Sequence, residues 1–214
     1  MKIIFSILVS LMLYASSIAS ATSIPWEHIT GYNLSGNPSY GWNYSYDICL
    51  LDDVLIIDVD LKLIGHNPGQ ERINAWETSI ETTWSTDRFD TPIVFNVNWV
   101  SSDQDYTVTI TDTTNNNRMT RWAAYSHINM ASHEFGHMLG LFDEYSGGAY
   151  APIDPLFHTG GLMEKIYFPT LDHYYTPFLE WKNEKLDSMP THAPEPSTFI
   201  LLASGLAMFI RRRK

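Results

Sequence analysis

His133-Glu134-Phe135-Gly136-His137, continued by Met138-Leu139-Gly140-Leu141-Phe142-Asp143-Glu144-Tyr145, is the stretch on which the reading of this chain turns. In a helix, residues four apart share a face, so His133 and His137 can offer two imidazole nitrogens to one ion while Glu134 stands to the side. A zinc ion held that way needs a third protein ligand and an open position, and it acidifies water toward neutral pH. Glu134 is then the general base that takes the water proton and returns it to a leaving group. Gly140 can adopt the left-handed conformation that ends a helix and turns the chain back. Such a turn carries Asp143 toward the ion, with Glu144, His158 and His173 as the other candidates for third ligand.

Upstream of this stretch the pattern changes to strands. Ile57, Val59, Leu61 and Leu63 alternate with Asp58, Asp60 and Lys62, which reads as a half-buried strand over Val54 to Leu63. Gly65-His66-Asn67-Pro68-Gly69 breaks it. Ile73, Trp76, Ile80 and Trp84 then recur at spacings of three and four, predicting an amphipathic helix from about Gln70 to Trp84. Two further strands follow, one on Ile93, Phe95, Val97 and Trp99 and one on Tyr106, Val108 and Ile110, so the order is strand, helix, strand, strand. Residues 22–50 are rich in Tyr, Trp, Asn, Gly and Ser without a clear period and read as an N-terminal extension or irregular lead-in. The polar loop Thr111 to Asn117, with Asp103 and Asp105, offers oxygen donors of the kind that hold Ca2+, or is simply solvated.

The extended motif resembles that of the metzincin clan of zinc endopeptidases, HExxHxxGxx followed by a third ligand that is usually His and in some members Asp. Thr159-Gly160-Gly161-Leu162-Met163 is similar to the Met-containing turn that lies beneath the metal in that clan. The resemblance implies an α+β, zincin-like (metzincin) domain, with a twisted, mostly parallel sheet, an active-site helix and a smaller C-terminal subdomain. It implies His133, His137 and Asp143 as Zn2+ ligands, Glu134 as base, Met163 as the floor of the site, and a polypeptide substrate cleaved internally. Arg121 to Tyr125 is then the edge strand on which an extended peptide pairs its backbone, or else a buried connector. Two departures stand out: Asp143 replaces the commoner histidine, and no aromatic residue falls neatly after the Met-turn, Tyr167, Tyr174 and Tyr175 being its candidates. The alternative reading is an inactive peptidase-fold binding or matrix protein at the cell envelope, against which the intact Glu134 argues.

The two ends read as targeting devices around a single domain over residues 22–190. Lys2, an apolar stretch from Ile3 to Tyr14, and Ala19-Ser20-Ala21 give the parts of a secretory signal in order over residues 1–21. Residues 191–214 contain Pro194-Glu195-Pro196, an apolar run from Phe199 to Ile210 and Arg211-Arg212-Arg213-Lys214, and resemble the PEP-CTERM sorting tail of bacterial exported proteins. That resemblance implies an exosortase-like membrane enzyme as processing partner. The expected route is export, transient membrane association through the tail, and a final place at the cell surface or outside it. Without Lys2 and the four terminal cations, eight basic residues face 24 carboxylates, which excludes nucleic acid as a natural partner. Cys49 is the lone cysteine, so no intramolecular disulfide supports the fold, and its surroundings lack the signature of a cysteine switch. His28, His66, His127 and His192 read as ordinary surface or core residues.

Overall fold

Strand β3 (Val54–Gly65) is the axis of the fold, because its buried Leu55, Ile57, Val59 and Leu61 alternate with polar residues as a strand with one covered face requires. The computed structural model describes residues 22–37, 39–113 and 117–189. The signal expected over residues 1–21 and the sorting segment with Pro194, Glu195 and Pro196 lie outside the described residues, as does His192. Helix α1 (Gln70–Trp84) follows β3 and buries Trp76, Ile80 and Trp84, the stripe its spacing predicts. Burial of each such side chain contributes roughly 1.5–3 kcal/mol. Strands β4 (Ile93–Trp99) and β5 (Tyr106–Thr111) then run parallel to β3, so the strand, helix, strand, strand order is the one observed.

The lead-in is where the sequence reading needs correction. Residues 22–50 are not irregular: β1 (Ile24–Leu34) and β2 (Gly41–Leu51) form a long antiparallel hairpin, and β2 pairs antiparallel with β3. With β6 (Arg121–Ala123) parallel to β5, the six-stranded sheet is mixed, three parallel pairings against two antiparallel, because the hairpin adds its own ladders to the parallel ones. Residues Leu55 to Asp58 pair with both β2 and β4, and Leu61 pairs with both β4 and β5. It follows that β4 borders one side of β3, while β2 and then β5 share the other. Residues Asp58 and Asp60 face away from the core and accept from Asn96 at 2.7 Å and Asn98 at 2.9 Å.

Helix α2 (Asn129–Met138) lies on the apolar face of the sheet, and its residues Ala131 to Met138 are all buried. Phe95 and Trp84 pack their rings on Phe135, with centroids 6.3 Å apart in each case, and Trp84 Nε1 donates to the Ser132 carbonyl at 2.9 Å. After α2 the described chain has no further strand. It runs through loops to a 3-10 turn, Asp172–Tyr175, and helix α3 (Thr176–Ser188). The described residues fall into two compact units, one reaching Leu179 and one starting at Glu180; the site described below belongs to the first. Cys49 is buried on β2, and burial, with a smaller contribution from Asp58, pushes its thiol pKa up.

Candidate metal centre

Helix α2 ends as its sequence predicts. Gly140 has φ of 90°, its N–H donates to the His137 carbonyl at 3.1 Å, and Leu141 N–H donates to the Gly136 carbonyl at 3.0 Å. These are the paired bonds of a Schellman turn, which needs a residue free to adopt positive φ. Side chains from the sheet add to these bonds: Trp42 Nε1 is a second donor to His137 O at 2.9 Å, Tyr106 Oη donates to Met138 O at 2.8 Å, and Asn33 Nδ2 to Gly140 O at 2.6 Å. Two of these three clamps come from the β1–β2 hairpin. Sequence reasoning did not find them, because a capping side chain distant in the chain leaves no local signature.

Beyond the turn, the chain brings His133, His137 and Asp143 together, all buried, with one donor atom of each within 4.8 Å of the others. Nδ1 of His133 lies 2.9 Å from the Leu162 carbonyl, and Nδ1 of His137 lies 2.9 Å from the Leu141 carbonyl. A carbonyl can only accept, so each Nδ1 carries a proton and each Nε2 is turned inward, where the neutral ring offers its lone pair, the arrangement expected of metal-binding imidazoles. The two Nε2 atoms stand 3.2 and 3.4 Å from Asp143 Oδ1. Neighbouring ligands at ~2.0–2.1 Å from a tetrahedral ion lie about 3.3 Å apart, so these spacings fit one. Asp143 Oδ2 accepts from Ala149 N–H at 2.6 Å, whereas the buried Oδ1 has no hydrogen-bond partner. Such an oxygen costs about 1–3 kcal/mol unless something else, such as a cation, satisfies it.

The electrostatics follow from burial and from these contacts. Burial alone would raise the Asp143 pKa, but the two imidazoles facing it outweigh burial and hold it well below the usual carboxylate range. Burial works to lower the His137 pKa, yet Asp143 and Glu134 overcome it and hold it at about 9. Burial pushes the Glu134 carboxyl up, against the pull of His137, His133 and the more distant Arg118. Glu134 opens onto a cleft of about 840 Å³ that also holds Trp42, Tyr106, Arg118 and the metal group. A second hollow of about 530 Å³, lined by His127, Met130, Glu164 and Lys165, shares Asn117, His133, Glu134 and Tyr145 with it. The two are therefore lobes of one groove that passes the candidate ligands.

Met163 is fully buried beneath helix α2, against Gly136, where an added Cβ would collide with its Sδ. The neighbouring residues have other duties. Glu144 accepts from Tyr174 Oη at 2.6 Å, His173 Nε2 at 2.5 Å and Thr159 Oγ1, and its N–H donates to the Met163 carbonyl at 3.0 Å. His158 is exposed and faces Glu164 at 3.4 Å. Of the four candidates for third ligand, Asp143 is thus the one brought to the imidazoles. The three tyrosines considered for the position after the Met-turn are elsewhere: Tyr174 binds Glu144, Tyr175 Oη donates to Trp84 O at 2.8 Å, and exposed Tyr167 packs on His127 at 4.8 Å. Tyr145, which the sequence reading passed over, lines both lobes beside Asp143, and His127 lines the second.

Asp105, one of the oxygen donors considered for calcium, spends one oxygen on Ser45 Oγ at 2.8 Å and the other on Asp60 N–H at 2.8 Å. Among the described residues the His133–His137–Asp143 group is the one acid–imidazole cluster able to hold an ion, and residues 114–116 of the polar loop lie outside them. Strand β6 does form a sheet edge at Arg121–Ala123, with Trp122 and Ala123 buried, so the segment is both edge and connector.

Comparison with known proteins identifies the C-terminus and leaves the rest of the chain to its own chemistry. Residues 192–214 match the PEP-CTERM protein-sorting motif, which marks a protein for export and for processing by an exosortase-like membrane enzyme. No curated protein matches the chain. No solved structure matches it either.

Proposed function

We propose that this chain is a zinc-dependent endopeptidase of the zincin type, acting outside the cytoplasm. The observation that carries the reading is the buried Asp143 Oδ1, left without a hydrogen bond and flanked at 3.2 and 3.4 Å by two imidazole Nε2 atoms, with Glu134 in the same cleft. Two imidazoles and one carboxylate suit zinc, whereas calcium and magnesium prefer oxygen donors throughout. When bound, zinc supplies Lewis-acid polarisation of a carbonyl and acidifies water near neutral pH.

The chain's own residues do the rest. His133 and His137 are held in one tautomer and orientation by the Leu162 and Leu141 carbonyls. Glu134, its carboxyl pKa raised by burial, takes a proton from water and passes it to the departing amine. Met163 packs against Gly136 and keeps the turn carrying Leu162 in register with the helix. The groove continues to both sides of His133 and Glu134, which favours an extended polypeptide lying through it over the trimming of a free end. The sorting motif at residues 192–214 suits an enzyme whose substrates are at or beyond the envelope.

The test uses the full chain loaded with zinc, beside Glu134→Gln, on a mixed peptide library. Glu134→Gln is expected to keep its zinc and to lose cleavage by about 10²–10⁴-fold, the usual worth of a general base. Equal cleavage by the two proteins contradicts the proposed role of Glu134.

A further inference from the structure

The charges along the groove are unevenly placed, although the whole chain carries a formal net charge of −11. In the larger lobe, leaving aside the metal group and Glu134, the ionisable side chains that are not tyrosines are Asp105 and Arg118. Both carboxylate oxygens of Asp105 accept hydrogen bonds, from Ser45 Oγ and from the Asp60 N–H, which hold the carboxylate in place and leave it charged. Arg118 is exposed and makes no ion pair among the described residues. Its backbone is nevertheless fixed, since Arg118 N–H donates to Arg121 O at 2.8 Å and Arg121 N–H donates back at 2.9 Å. Asn117 Oδ1, one residue earlier, accepts from Ala123 N–H at 2.7 Å. A guanidinium mounted on this anchored turn is a cation at one wall of the lobe with no ion pair among the described residues.

The smaller lobe arranges its charges differently. There Glu164 and Lys165 bring opposite charges side by side; Glu164 accepts from Gly160 N–H at 2.8 Å, and the Lys165 ammonium lies over the Phe168 ring at 5.4 Å. Their fields largely cancel at the distance of a bound chain, whereas Arg118, the one Arg or Lys among the described residues that line the larger lobe, shares it with the Asp105 and Glu134 carboxylates but pairs with neither, which leaves its N–H donors open to a bound chain.

We infer that Arg118 makes the larger lobe selective for polypeptides carrying an Asp or Glu side chain on that side of the cleaved bond. The inference rests on the endopeptidase reading of the same groove. A guanidinium binds a carboxylate through paired hydrogen bonds, which an amide or an alkyl side chain cannot match. At a solvent-exposed wall the gain is modest, about three- to tenfold, and it declines as salt screens it.

The experiment compares the zinc-loaded full chain with Arg118→Ala and Arg118→Glu on three peptide sets identical except for Asp and Glu, Asn and Gln, or Lys and Arg at the varied position. Binding of the same peptides is followed by fluorescence anisotropy. Preference for the acidic set in kcat/KM by about three- to tenfold, lost in Arg118→Ala and turned toward Lys and Arg peptides in Arg118→Glu, supports the inference. Cleavage of the acidic and amide sets at equal rates overturns it while leaving the peptidase reading intact. Arg118-dependent binding of acidic peptides without any cleavage supports the selectivity and overturns the peptidase reading. Neither binding nor cleavage overturns both.

Discussion

Two buried carboxylates stand on either side of one peptide bond, each facing histidine, and they are built for opposite purposes. Glu144 spends both oxygens on Tyr174, Thr159 and His173, which tie the loop after helix α2 to the Met163 turn and to the 3-10 turn. Asp143 spends one oxygen on Ala149 N–H and leaves the other facing two imidazoles with no hydrogen bond. Burial and a histidine neighbour therefore do not distinguish a ligand from a strut. The distinguishing feature is donor capacity left over once the protein's own bonds have been counted.

The sharpest way to break this comparison is to truncate each acid in turn. Asp143→Ala is expected to weaken zinc binding by more than the roughly 10–100-fold that loss of an outer-shell partner costs. Glu144→Ala is expected to keep one zinc per chain but to lose about 2–4 kcal/mol of stability, because it strands the buried Tyr174 hydroxyl and leaves Thr159 and His173 without their acceptor. Metal analysis beside chemical denaturation separates the two, and loss of zinc in Glu144→Ala alone would reverse the assignment.

Acidity sharpens the contrast further. Without metal, His137 holds its proton up to a pKa of about 9, so zinc must displace that proton at any lower pH. Apparent affinity should accordingly rise by about tenfold per pH unit from neutral toward 9 and level off above it. Calorimetric titration in buffers of different ionisation enthalpy checks this through the proton released, and binding indifferent to pH between 6 and 8 counts against it. The smallest effect belongs to the turn between helix and ligand. Gly140→Ala, at φ of 90° and with its new Cβ 3.1 Å from the Tyr44 ring, is expected to cost about 1–2 kcal/mol in thermal or chemical unfolding.

Much of this was legible in the sequence because the signals were local. The alternation on β3, β4 and β5, the 3–4 spacing of Trp76, Ile80 and Trp84, and the glycine stop after His137 are read within a few residues each. The hairpin was not legible, since the exposed positions of β1 include Trp26, Tyr32 and Leu34, and β2 buries Ile48, Cys49 and Leu50 in succession, which erases the period of two. Its role as a clamp on helix α2 was hidden for a further reason: Trp42 lies 95 positions from the carbonyl it caps. Asp143 was one of several candidates in the sequence and the assembled one in the structure, because only the third dimension shows which carboxylates are already satisfied.

The central claim is that His133, His137 and Asp143 hold one metal ion, and X-ray absorption at the zinc edge on the stoichiometrically loaded full chain tests it most directly. The account predicts two imidazole nitrogens at about 2.0–2.1 Å with one carboxylate oxygen at about 2.0–2.2 Å and room for a further light atom. Sulfur in the shell, a shell of oxygens alone, or failure to bind zinc at stoichiometric concentration would contradict it.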